Sequence, residues 1–133
     1  MSRGDITWQR EKEILGLINA YRKKNNKSPL KWNTICAHYA EQHSKYMAEN
    51  KSLSHDYVNE RLNEIKKKVK GYQIGSENVA MSHPNEFNPI EAWSKSSGHN
   101  KNMLGVFTDC GVGYVKNSNN DHYYTAIFIR VGQ

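Results

Sequence analysis

The last quarter of the chain constrains its fold most. "DCGVGYVK" (109–116) and "HYYTAIFIRV" (122–131) are both rich in β-branched and aromatic residues, and the polar run "NSNND" separates them. Two β-forming runs joined by a short polar turn make an antiparallel hairpin. A two-stranded hairpin is marginal in water and must be covered. The rest of the chain therefore has to supply a covering layer.

The upstream sequence supplies helices. Residues 7–24 place Ile14, Leu15, Ile18 and Tyr21 at helical spacing behind a capping Thr7, and "RKKNNKSP" ends the run. Asn33 can cap a second helix to about residue 50, with Cys36, Ala37, Ala40, His43, Met47 and Ala48 on one face. His43 on that stripe reads as a packed core histidine. A short basic helix follows over about 57–69, with Val58, Leu62 and Ile65 as its apolar side and Gly71 beyond its end. "YQIGSENVAM" (72–81) reads as a strand. Residues 86–97 read as a fourth helix, started near Pro89 and stopped at Gly98. Helices followed by a hairpin, with one earlier strand to join it, predict an α+β fold with helices over a small antiparallel sheet of about three strands.

A length of 133 residues suits one domain, expected to span 1–133 with residues 1–6 outside the fold. Such a domain can bury a core without disulfide or metal staples. Fourteen aromatics (Trp 3, Tyr 8, Phe 3) argue against disorder. The net charge of +6 invites a polyanion, but the charges are scattered and no nucleic-acid motif accompanies them, so no nucleic-acid partner is expected. The densest basic run, Lys66 to Lys70, could bind an acidic glycan. No stretch has the apolar length of a membrane span, and the amino-terminal sequence has no signal-peptide core. Arg3-Gly4-Asp5 is read as a chance match. Cys36 and Cys110 are too few for a disulfide framework; buried free thiols are the default, and a single bridge is the competitor.

HExxH, the phosphate loop, CxxC and GxSxG are all absent. What remains is a set of polar residues at structural joints: His55 after the second helix, Glu77 within an apolar strand, and His99 after the fourth helix. A buried carboxylate needs a partner, and imidazole is a natural one. Two imidazoles and a carboxylate could hold Zn²⁺ with a fourth position open. The spacing matches no local ligand motif, so on the residues alone the metal reading is the lesser one, and a hydrogen-bonded structural cluster is its competitor.

"PLKWN", "AEQHSKYMAEN", "LSH", "SENVA", "AWSKSSGHNKNML", "CGVGYV" and "YYTAIF" occur in this order over about residues 12–130. Together they resemble the CAP superfamily (cysteine-rich secretory, antigen 5 and pathogenesis-related proteins; the SCP domain) in its compact bacterial form. The resemblance implies an α-β-α sandwich, an extracytoplasmic protein, and a cleft lined in many members by two histidines and two glutamates. His55 of "LSH", Glu77 of "SENVA" and His99 of "SGHNKN" match three of these. Ser96, three residues after Trp93, stands where the second glutamate is usual. Ser76, Asn100 and Ala126 replace a usual glycine, arginine and glutamine. The missing carboxylate should weaken a divalent cation and remove one candidate acid/base.

Three functions follow as expectations. The first is a non-enzymatic binding or effector domain, secreted or on the cell surface with a lipid anchor as one mode of attachment, monomeric, with a lipid, glycan or protein ligand. The second is a metal-dependent hydrolase, or one in which a histidine activates Ser54, Ser96 or Ser97. The third is an adhesion module using the Lys66–Lys70 face.

Overall fold

A computed structural model describes residues 4–83 and 88–132 of the chain. Helix α1 (Gly4–Lys24) is followed by a two-residue strand β1 (Lys31–Trp32), helix α2 (Thr34–Asn50) and helix α3 (Val58–Lys68). Strand β2 (Tyr72–Ser82), helices α4 (Pro89–Ser94) and α5 (Ser97–Met103), and strands β3 (Asp109–Lys116) and β4 (His122–Val131) complete it. The two hairpin strands span the residues expected from the sequence. Helix α1 starts at Gly4, three residues before the Thr7 cap predicts.

The sheet has four strands rather than three, in the order β1-β3-β4-β2. The additional strand β1 runs parallel to β3, pairing Lys31 with Asp109 and Trp32 with Cys110, so the sheet is mixed. Two residues are too few to show a period-2 pattern, which is why the sequence conceals this strand. β2 and β3 both pair antiparallel with β4, which leaves β2 at the edge.

Helices α2 and α3 cover one face, and α1, α4 and α5 cover the other, giving an α-β-α sandwich. Strand alternation sorts the core accordingly. Val112, Tyr124, Ala126 and Phe128 pack with Ile14, Leu15, Ile18, Ile90, Trp93 and Met103. On the other face, Ile127 and Ile129 pack with Cys36, Ala40 and Ile65, and Val79 and Tyr123 pack with Met47 and Ala48. Trp93 is buried and donates its indole N–H to the Val79 carbonyl at 3.0 Å, fixing α4 to β2.

The glycines of "CGVGYV" have a structural cause. A Cβ on Gly111 would lie 2.1 Å from the Ala37 nitrogen, and one on Gly113 would lie 2.2 Å from the Glu41 nitrogen. The α2 backbone thus rests directly on β3, and only glycine admits that approach. The same alternation turns Cys110 toward the α1 layer while Cys36 belongs to the α2 layer. Both thiols are free and buried. Burial pushes Cys36 up to about 12 and raises Cys110 as well.

The expected 86–97 helix is corrected. Residues 86 and 87 lie outside the described residues. Asn88 caps α4 through its side chain, with Pro89 in the first turn. This helix ends at Ser94; Ser96 then takes an extended conformation (φ −110°, ψ 119°) and opens α5. Gly98 is not a stop: it lies inside α5, and His99 follows it in the same helix.

Candidate functional site

The site forms at the free edge of β2, where the two helical layers meet. Glu77 sits in mid-strand and its side chain points into the α2–α3 layer. Its side chain is only 1% exposed. Isolated there, a carboxylate would be strongly destabilising. Arg61 of α3, also buried, resolves this: its Nε donates to Oε1 at 2.8 Å and its Nη2 to Oε2 at 2.9 Å. The paired fork is the strongest geometry available to a guanidinium and a carboxylate.

His55 enters from the loop after α2. Its Nδ1 lies 2.9 Å from Glu77 Oε2. A carboxylate accepts, so Nδ1 is the donor and Nε2 is the nitrogen not engaged by Glu77. The loop that carries His55 is stapled at several points. His43 Nε2 lies 2.7 Å from the Ser54 carbonyl, Tyr46 donates its hydroxyl to Asp56 Oδ2 at 2.9 Å, and Arg61 Nη1 donates to the Asp56 carbonyl at 3.0 Å. Arg61 therefore holds both the carboxylate and the loop that brings the imidazole to it.

His43 is the packed core histidine that its helical stripe predicts, 2% exposed. It also borders the site, with Nε2 3.9 Å from Glu77 Oε2. Because Nε2 donates to a carbonyl, Nδ1 is the unprotonated nitrogen; it is buried with no hydrogen-bond partner among the described residues. Burial lowers the His43 pKa, which keeps the ring neutral.

His99 reaches the same edge from the opposite layer. The Asn78 side chain, pointing away from Glu77 by strand alternation, donates to the His99 carbonyl at 3.1 Å. Asn102 donates to Asn78 Oδ1 at 2.9 Å. From α1, Tyr21 donates its hydroxyl to Asn100 Oδ1 at 2.5 Å, and the buried Arg22 donates to the carbonyls of Met103 and Gly105, both at 2.8 Å. The His99 and His55 ring centroids are 6.4 Å apart. Burial, and secondarily the nearby His55, lower the His99 pKa.

The sequence-derived set is thus brought together in part. His55 bonds Glu77, and His99 faces His55. Ser96 is half-buried at the start of α5 and its hydroxyl makes no capping bond. Neither Ser96, Ser97 nor Ser54 is hydrogen bonded to His55 or His99 among the described residues; Ser54 Oγ instead accepts from the Asp56 amide at 3.3 Å. Arg61 and Asn78 were not anticipated. Their signals were an arginine on the Val58–Leu62–Ile65 stripe, and the asparagine that follows Glu77 in "SENVA".

The donor set does not suit a metal ion as placed. Both Glu77 oxygens are held by Arg61, and one also accepts from His55. Among the described residues, no group of three His, Cys, Asp or Glu side chains is arranged to hold one.

Known proteins share this architecture. The chain is 33% identical over 125 residues to the uncharacterized membrane protein YlbC of Bacillus subtilis, covering 90% of this chain and 34% of that protein. It is 30% identical over 109 residues to the uncharacterized protein YkwD of the same organism, covering 80% and 42%. An extracellular SCP-domain protein of Bacillus anthracis superposes with a TM-score of 0.80 at 34% identity, over 94% of this chain and 41% of that one. An outer surface protein of Borrelia burgdorferi superposes with a TM-score of 0.78 at 19% identity, over 91% and 92%, a likeness of fold alone. The chain therefore spans well under half of the Bacillus proteins it matches. The profile of the cysteine-rich secretory protein family, CAP, matches residues 15–128, and the chain belongs to that family.

Proposed function

We propose that this domain is a non-enzymatic binding domain acting outside the cytoplasm, with the cleft of His55, Glu77, Ser96 and His99 as its recognition site. The observation that carries this reading is the Arg61–Glu77 fork. It consumes the carboxylate that a general base or a metal would need. What remains is a pair of imidazoles, the half-exposed His55 and His99, whose pKa burial lowers. Such a pair can hydrogen bond to hydroxyl or amide groups of a glycan, a protein or a lipid head. The absence of any serine bonded to either imidazole among the described residues supports recognition over nucleophilic chemistry.

The extracytoplasmic placement is supported by the Bacillus anthracis relative, which is described as extracellular. No helix among the described residues is long and apolar enough to cross a membrane.

The competing reading, a metal-dependent hydrolase, requires Arg61 to leave Glu77. Calorimetric titration with Zn²⁺, with His55→Ala and His99→Ala as controls, separates the two. The binding reading expects no heat beyond millimolar affinity. Tight binding abolished by both substitutions would overturn it.

A further inference from the structure

A second site lies beside this cleft, between α2 and α3. Its walls are Tyr39 and Tyr46 of α2, Tyr57 at the start of α3, and the α3 side chains Glu60, Arg61 and Glu64, around a groove of about 280 Å³. That volume is at the small end for ligand pockets. We propose that this groove binds a methylated ammonium group, as a free choline-type molecule or as a lipid headgroup.

The aromatic geometry comes first. The Tyr46 and Tyr57 rings meet at 78° with centroids 5.8 Å apart, so they form two walls of a corner. Tyr57 is 62% exposed and held at φ 63°, ψ 22°, a left-handed conformation that a bulky residue rarely adopts. Its side chain does not cap the helix. The strained backbone serves to stand the ring at the mouth of the groove, and strain of this kind concentrates at ligand clamps.

The charges point the same way. Arg61 faces the groove, but its guanidinium is tied to Glu77. Glu64 is paired with Lys67 at 3.2 Å. Glu60, beside Tyr57, has no ion-pair or hydrogen-bond partner among the described residues, so one uncompensated carboxylate faces the aromatic corner. At the far end Lys68 Nζ donates to the Tyr39 hydroxyl at 2.6 Å, off the rim of the ring rather than over its face.

The lining indicates the type of cation. Tyrosine rings that meet at a corner beside one carboxylate form the kind of aromatic cage by which methylated ammonium groups are recognised.

The test is choline titrated into the isotope-labelled full chain, followed by amide shifts. The expected result is a saturable response centred on Tyr46, Tyr57 and Glu60, with the uncharged isostere 3,3-dimethyl-1-butanol binding about tenfold more weakly. Tyr57→Gly, which relieves the left-handed strain and so keeps the fold, should abolish the response. Tyr46→Phe, which keeps the ring, should preserve it, and Glu60→Gln should weaken it. Sedimentation with phosphatidylcholine vesicles but not phosphatidylglycerol vesicles would assign the headgroup as the source; a response to free choline alone would assign the soluble ligand. No saturable response to either, or equal binding of the isostere, would overturn the proposal. His55→Ala and His99→Ala should leave choline binding intact, which separates failure here from failure of the neighbouring cleft.

Discussion

Arg61 and Glu77, sixteen residues apart in sequence, form a buried fork in which Nε meets Oε1 at 2.8 Å and Nη2 meets Oε2 at 2.9 Å. The pair is the structural centre of the site. Removing one partner strands the other charge in the interior. Arg61→Leu should therefore cost about 3–5 kcal/mol of stability. Arg61→Lys should recover only part of this, because an ammonium cannot reproduce the planar fork. Urea denaturation midpoints of the three proteins provide the check; an unchanged midpoint in Arg61→Leu would contradict the assignment.

Stability should fall as the solution is acidified through the histidine range. His43, His99 and His122 all have their pKa values lowered, in each case first by burial. In the unfolded chain they take up protons near the ordinary value of 6.5, while the folded protein resists. The folded state is thus at full stability above about pH 6.5, and loses it as pH falls from there toward the lowered folded values. Thermal midpoints at pH 7.5 and pH 5 should differ in that direction. His43→Gln should narrow the difference, since His43 is the most buried of the three.

Two glycines should respond with opposite signs. Gly113→Ala would push a Cβ to 2.2 Å from the Glu41 nitrogen and 2.3 Å from the Ala40 carbonyl carbon, backbone atoms that cannot step aside. A loss of about 1–3 kcal/mol or more is expected. A Cβ on Gly98 meets nothing within 4 Å. Because Gly98 lies inside α5, Gly98→Ala should stabilise by about 0.5–1 kcal/mol. Destabilisation by Gly98→Ala would restore the view that this glycine ends a helix.

Asn78 links the strand that carries Glu77 to the helix that carries His99. Asn78→Ala removes the donor to the His99 carbonyl and the acceptor for Asn102. A loss of about 1–3 kcal/mol is expected from the groups left unpaired. The His99 ring signals in an NMR spectrum should broaden or shift while those of His122, at the start of β4, stay in place. Unchanged His99 signals would show that α5 is positioned by Tyr21 and Arg22 alone.

Much of this molecule was legible locally. The runs 109–116 and 122–131 coincide with β3 and β4 because alternation and a polar turn are properties of neighbouring residues. Asn33 capped α2 as its residue type predicts, its side chain accepting from the Cys36 amide at 2.9 Å. α5 was hidden because only Met103 among its residues is buried, leaving no apolar stripe to reveal it. The ordered motifs identified the family and nominated His55, Glu77 and His99, but family resemblance carried a metal expectation that the Arg61 fork does not favour.

Sequence alone determined the longer segments, α1, α2, α3, β2, β3 and β4, and which of their faces turn inward, because backbone preference and apolar periodicity act over a few residues. Only the tertiary structure decided what those faces meet: that α2 lies against bare backbone at Gly111 and Gly113, that β1 adds a parallel edge, and that Glu77 is neutralised by a helix sixteen residues upstream. The reason is physical. A buried charge takes whichever opposite charge packing delivers within about 3 Å, and no spacing along the chain encodes that delivery.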